Sequence, residues 1–352
     1  GVMHQVYEIP ANITAAVTSR IKIMGRLDVA EKRKPQDGRI KTRTPEGQEI
    51  EMRLSSMPTA FGEKLVLRIF DPEVLVRDFS DLGFEKKESD LWGHMIRQPY
   101  GIILVTGPTG SGKTTTLYTS LKNLAVPEVN VCTIEDPIEL VEPSFNQMQV
   151  QHNIGLDFAS GVKTLLRQDP DIIMIGEIRD RETAEMAVQS ALTGHLVLST
   201  LHTNDAPSAV ARLQEIGIPP YLISATLLGV VAQRLVRTLC PHCKKEMDLE
   251  LAQWQSLITP WSTEPPASVY QSEGCLECRQ TGFLGRKGIY EMMILNDDLK
   301  QFISEDFDLV RFRKRAIKNG MRPLNLAGAQ KVARGITTIQ EVLKVAPPRY
   351  DG

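Results

Sequence analysis

The sequence predicts an α/β protein. A small N-terminal α/β domain precedes a sheet domain built on a phosphate loop, which carries a four-cysteine subdomain and ends in a small helical subdomain. Three observations predict this. GPTGSGKT at residues 107–114 fits G-x-x-x-x-G-K-[ST], with Gly107, Gly112, Lys113 and Thr114 at the required spacing. From residue 100 to about residue 236, strand-like and helix-like runs alternate, as in a mainly parallel sheet. Four of the five cysteines form two C-x-x-C pairs.

The phosphate-loop reading rests on context as well as spacing. GIILVT at residues 101–106 is a short apolar run suited to a buried strand, and TTLYTSLKNLA at residues 115–125 has a helical pattern. Between them, Gly107, Pro108, Thr109, Gly110, Ser111, Gly112, Lys113, Thr114 and Thr115 form the expected ATP cradle. Glycines let backbone N–H groups face phosphate oxygens, and the helix N-terminus adds partial positive charge. Lys113 then reaches the β- and γ-phosphates, and the Thr114 hydroxyl holds Mg²⁺.

Residues 1–70 read as the N-terminal domain. Residues 15–24 suggest a helix, Asp37-Gly38 a turn, and residues 51–58 and 63–70 alternate like strands. Of its arginines, Arg53 and Arg68 stand out, because each sits inside an alternating strand. A strand arginine aimed at a neighbouring phosphate is a charge clamp; the plainer reading is a salt bridge within its own domain. Residues 71–99, with Pro72 and Pro99, read as an interdomain linker.

Residues 100–239 form the expected sheet core. VNVCTIEDPIE ends a strand with Glu135, Asp136 and Glu139, where open α/β sheets bind ligands. RQDPDIIMIGEIRD places Glu177 just beyond a second apolar strand, positioned to orient water. His195 and His202 bracket a third strand, suggesting hydrogen bonds to phosphate or to the acidic residues. Residues 206–217 and 219–239 read as two helices, the second apolar all round and so buried. Residues 240–279 hold Cys240, Cys243, Cys275 and Cys278, a set suited to a closed tetrahedral Zn²⁺ site with no open position for water. Residues 280–352 suggest a helical subdomain in which Thr337 or Thr338 caps a final helix before Glu341.

Bulk composition limits the alternatives. The net charge is −2, and there is no basic, aromatic-lined groove, which argues against nucleic acid as a partner. No apolar run approaches membrane-spanning length. The paired cysteines point to metal in a reducing cytoplasm rather than to disulfides.

With these residues in place, the chain resembles the type II secretion / type IV pilus assembly ATPase family. LDVAEKRKPQDGRI, GPTGSGKTTTLY, TIEDPIE, RQDPDIIMIGEIRD, TGHLVLSTLHTN, AQRLVRTLCPHC and GRKGIYEMM are similar to its signature segments, in family order. The resemblance implies a RecA-like ATPase core. It gives Glu135, Asp136 and Glu139 as an aspartate box, Glu177 as the Walker B acid, and His195 and His202 as a histidine box. Arg53 and Arg68 fall where the family's N-terminal domain reaches the γ-phosphate. The resemblance further implies ATP, Mg²⁺ and Zn²⁺ as cofactors, and a homo-hexamer. It places the protein in the cytoplasm at the inner membrane, held there by platform proteins rather than by its own span. The family usually carries a further N-terminal docking region, and the chain is expected to begin after it. A RecA-like nucleic-acid translocase and a non-hydrolysing ATP-binding scaffold are the alternative classes.

Overall fold

The computed structural model describes residues 3–44, 47, 49–70 and 78–348. The chain divides into two compact units, Gly1–Val76 and Arg77–Gly352.

In the first unit the helix Ala11–Met24 covers one face of an antiparallel meander of β1 (Gln36–Arg43), β2 (Glu49–Thr59) and β3 (Gly62–Phe70). Strand alternation puts Ile40 and Leu54 on the covered face, where both are buried. Lys22 of the helix is buried too, and its ammonium is satisfied by Glu63 at 2.6 Å and by the Glu31 carbonyl at 2.8 Å. Asp37-Gly38 is not a turn but part of β1. A Cβ on Gly38 would lie 2.2 Å from the Gly25 carbonyl oxygen. The glycine therefore admits the backbone at the end of the helix and does not reverse the chain.

The second unit is built on a seven-stranded sheet. Its strands are β4 (Gly101–Thr106), β5 (Val131–Glu135), β6 (Asn146–Gln149), β7 (Ile172–Ile175), β8 (Leu196–Leu201), β9 (Leu227–Leu239) and β12 (Phe283–Ile294), in the order β12-β9-β4-β8-β7-β5-β6. All pairings are parallel except β12 with β9. β4, β5, β7 and β8 are buried at every position, as strands covered on both faces must be. The short hairpin β10 (Lys245–Asp248) and β11 (Ser268–Gln271) stands apart as a two-stranded sheet.

Three expectations change here. Residues 219–239 are not one helix: the helix Pro220–Thr226 gives way to the long strand β9. An apolar run buried on both faces has no periodicity that separates helix from strand. Gly229 favours the strand, because a Cβ there would lie 2.8 Å from the Met293 carbonyl oxygen of β12. Second, residues 78–99 of the stretch read as a linker belong to this unit. Its helix Lys86–Ile96 buries Trp92, whose indole N–H donates to Ser120 Oγ at 2.9 Å. Asp71 and Pro72 lie outside the described residues. Third, the C-terminal region is not purely helical, since β12 extends the central sheet before the helices Leu309–Lys318, Leu324–Ala333 and Ile339–Val345. Thr338 caps the last of these, its hydroxyl accepting the Glu341 N–H.

Candidate nucleotide site and metal centre

The phosphate loop runs from the end of β4 to the helix Lys113–Leu124. Gly107, Gly110 and Gly112 have φ of +150°, +77° and +88°, so the loop can curl with its N–H groups inward. Two of them also meet β9. A Cβ on Gly107 would lie 2.5 Å from the Gln233 carbonyl oxygen and 3.0 Å from Arg234 Nη1, and one on Gly112 would lie 2.8 Å from Gln233 Nε2. Thr116 fixes the same glutamine, donating to Gln233 Oε1 at 2.9 Å. Lys113 Nζ donates to the carbonyls of Gly107 (2.8 Å) and Pro108 (3.1 Å). Burial lowers its pKa, nearby Glu177 opposes that shift and Arg234 adds to it. Ser111 is buried, with its hydroxyl unbonded among the described residues. Pro108, Thr109, Gly110 and Thr114 are exposed, and Thr115 is half-buried. The loop is thus open, and the Thr114 hydroxyl is accessible to a cation.

The facing wall comes from the C-terminal ends of β7 and β8. Glu177 follows β7, held by Gly176 N–H donating to the Ile134 carbonyl and by Ile178 N–H donating to Thr200. Its carboxylate pairs with Arg179, which sequence reasoning passed over, and lies 3.4 Å from His202 Nε2. The Glu177 hydrogen bond raises the Arg179 pKa, burial lowers it, and Glu177 and Asp136 charges raise it further. Arg179 therefore stands between the two acidic groups. Thr106, at the foot of the phosphate loop, ties β4 to the loop bearing His202 by accepting the Thr203 N–H at 2.8 Å and by contacting Thr203 Oγ1 at 2.7 Å.

Two expected site residues are placed elsewhere. His195 precedes β8, while the phosphate loop follows β4, with which β8 runs parallel from Leu196 beside Gly101 to Leu201 beside Thr106. It therefore sits at the far end of the sheet, about 20 Å away at strand rise, where its Nδ1 lies 2.9 Å from the Ser190 carbonyl oxygen. Its place is structural. Glu135 turns inward: it is 4 % exposed and accepts from Tyr118 at 2.5 Å, Thr133 at 2.6 Å and Gln147 at 3.2 Å. Its lone pairs are committed to holding the helix Lys113–Leu124 against β5, so it supports the loop without facing a ligand. Asp136 is exposed just beyond it, 3.6 Å from His152 Nε2, and Glu139 follows half-buried in the same loop.

Arg53 and Arg68 belong to the first unit, where they face one another directly across β2 and β3, with Arg39 in the same row on β1. Like charges set opposite one another oppose pairing. Lys41, Arg43 and Lys64 share that uncovered face by alternation, with Glu51 paired to Arg39 at 3.5 Å.

The four cysteines converge. Their Sγ atoms lie within 4.8 Å of one another, with separations of 3.8 Å for Cys240–Cys275 and 3.7 Å for both Cys243–Cys278 and Cys275–Cys278. A tetrahedral ion with metal–sulfur bonds of about 2.3 Å requires sulfurs about 3.8 Å apart, so the donor set fits. Cys278 Sγ also accepts the N–H groups of Cys275 (3.2 Å) and Gly282 (3.1 Å). Burial raises its pKa, but those two donors together with the thiols of Cys275 and Cys243 bring it down to about 6.

The profile of a family described as "Type II/IV secretion system protein" matches residues 1–344. The chain belongs to this family. Among relatives within it, the type IV pilus assembly ATPase TfpB of Acinetobacter baylyi is 62% identical over 347 residues, covering 99% of this chain and 59% of its own. PilB of Myxococcus xanthus, also a type IV pilus assembly ATPase, is 48% identical and covers 99% and 62%. Type II secretion system protein E of Pseudomonas aeruginosa is 46% identical and covers 98% and 68%. The chain therefore spans about three fifths of the two pilus relatives. In fold it matches the pilus retraction motor PilT, solved with bound ADP, at 26% identity and TM-score 0.63 over 90% of this chain and 78% of that one. The Legionella pneumophila ATPase DotB matches in fold at TM-score 0.64, covering 89% and 77%.

Proposed function

We propose that this chain is the motor portion of a type IV pilus assembly ATPase, hydrolysing Mg²⁺-ATP at residues 107–115. One observation carries the reading: Lys113, Glu177 and His202 converge at one end of the sheet, around an open phosphate loop. Lys113 would exchange its two backbone acceptors for phosphate oxygens, and the Thr114 hydroxyl would hold Mg²⁺, which would supply charge stabilisation to the phosphates. Glu177 releases Arg179 and orients the attacking water, with His202 fixing the carboxylate. Asp136 and Glu139 lie at the same sheet edge, suited to waters on the metal. Phosphoryl transfer needs positioning and charge stabilisation more than covalent help.

The 62% identity to a pilus assembly ATPase, against 46% to a type II secretion protein, favours pilus assembly over secretion. On this reading the protein works as a homo-hexamer on the cytoplasmic side of the inner membrane, through platform proteins and without nucleic acid. No helix among the described residues is long and apolar enough to cross a membrane. Sedimentation with Mg²⁺ and a non-hydrolysable ATP analogue tests the assembly: a six-chain species is expected, and a monomer at every concentration contradicts it. DNA that stimulated turnover would favour the translocase class instead.

The cysteine cluster is proposed to hold one structural Zn²⁺, whose binding free energy is folding free energy for the hairpin it closes. Metal analysis of protein purified without chelator should give about one zinc per chain. Cys275→Ser should lose the metal and destabilise residues 240–279, while nucleotide affinity persists. Wild-type protein free of zinc would refute the site.

A further inference from the structure

A cavity of about 450 Å³ opens within the second unit, lined by residues from Pro108 of the phosphate loop to Pro347 and Pro348. That volume is in the range of small-molecule sites, about 300–1,000 Å³. Its walls are uneven in chemistry. Pro260, Trp261, Ile317 and Met321 give the lining its apolar part, with one flat aromatic face. Arg234, Arg313 and Lys314 add cations to it and Glu291 a carboxylate, and Arg313 is already paired with Asp205 at 3.2 Å.

The polar part is built. Arg234 is 7% exposed, yet its guanidinium donates only to the Gln233 carbonyl (3.0 Å) and to the carbonyl and side chain of Asn204 (2.8 and 3.5 Å). A guanidinium has five N–H donors, so two are left without a protein acceptor among the described residues. Glu291 does not fill them. Its two oxygens accept the N–H groups of Ala206 (2.8 Å) and Leu324 (3.3 Å). Burial raises the Glu291 pKa against those N–H bonds and the Arg313 and Arg234 charges. Lys314 stands exposed at the rim. A buried cation with unfilled donors beside an apolar wall is complementary to an anion carried on a ring.

We propose that this cavity is a second ligand site for a small organic anion, such as a phosphorylated or carboxylated aromatic, with its anionic group on Arg234 and Lys314 and its flat body against Trp261, Ile317 and Met321. Because Arg234 also packs on Gly107, the bound anion couples to the nucleotide. That coupling rests on the ATP reading above, whereas the binding itself does not.

The test uses 1-anilinonaphthalene-8-sulfonate, an aromatic anion, titrated into the whole chain with Mg²⁺ and a saturating non-hydrolysable ATP analogue. Saturable binding of about one probe per chain is expected. Lys314→Glu, a change at an exposed position, should weaken it about tenfold, the size of one charge-assisted bond. Met321→Trp, which fills the cavity, should abolish it. If Met321→Trp fails to fold, Lys314→Glu alone decides. Probe displaced by the analogue, binding that does not saturate, or binding unmoved by Lys314→Glu would overturn the second site. With binding intact, the analogue's own affinity should shift when probe is present, because linkage is reciprocal. An unchanged affinity removes the coupling, while loss of analogue binding altogether would count against the nucleotide reading instead.

Discussion

Arg68→Ala is expected to lower ATP turnover about 10³-fold, the lower end of what an arginine finger supplies, while ADP affinity and melting temperature stay close to wild type. Arg39, Arg53 and Arg68 stand in one row across three strands, on the face the helix Ala11–Met24 leaves uncovered. Evenly spread surface charge would avoid that row, since opposed cations weaken the pairing of their own strands. The resemblance to the family places Arg53 and Arg68 where its N-terminal domain reaches the γ-phosphate, which is the reason to test them. The plainer account is that these arginines serve only their own domain. Fluorimetric melting and phosphate release on the same variant separate the two. Turnover preserved, or a collapsed melting temperature, makes Arg68 structural.

Glu177→Gln should keep Mg²⁺-ATP binding and lose hydrolysis by about 10²- to 10⁴-fold, the range for a single positioned proton acceptor. The substitution is nearly isosteric but trades an acceptor for a donor. The amide cannot take the proton of an attacking water, and its charge no longer holds Arg179 or draws on His202. Loss of that charge also leaves Lys113 more strongly depressed, since Glu177 is what raises its pKa. Nucleotide affinity measured by calorimetry should therefore be retained or slightly weakened. Unchanged turnover would remove Glu177 from the role and pass it to Asp136 or Glu139.

How much was legible in the sequence followed from how tightly chemistry fixes spacing. The phosphate loop could be read outright, because four residues must stand at set intervals between a strand and a helix. The convergence of the four cysteines could be read for the same reason. Glu135 and Glu177 were harder to tell apart. Both follow apolar strands, and only the surrounding polar groups, Tyr118, Thr133 and Gln147, show that Glu135 is committed inward. The histidines carried their own answer. Two residues bracketing a strand lie at its opposite ends, so His195 and His202 cannot serve one ligand from a single six-residue strand. β9 was misread because burial on both faces erases the period that distinguishes strand from helix. Arg234 and Gln233 went unassigned because their task, backing Gly107 and Gly112, exists only once β9 lies beside the loop. Arg179 was passed over beside its louder neighbour in GEIRD.

The central claim is that the loop at residues 107–115 hydrolyses ATP. Phosphate release from Mg²⁺-ATP, measured on the wild-type chain and on Lys113→Ala in parallel, tests it most directly. Steady turnover in the wild type that is lost with Lys113→Ala, in a variant that melts as the wild type does, is the predicted result. A folded wild-type protein that binds ATP but releases no phosphate in any oligomeric state, or turnover that survives Lys113→Ala, would contradict it.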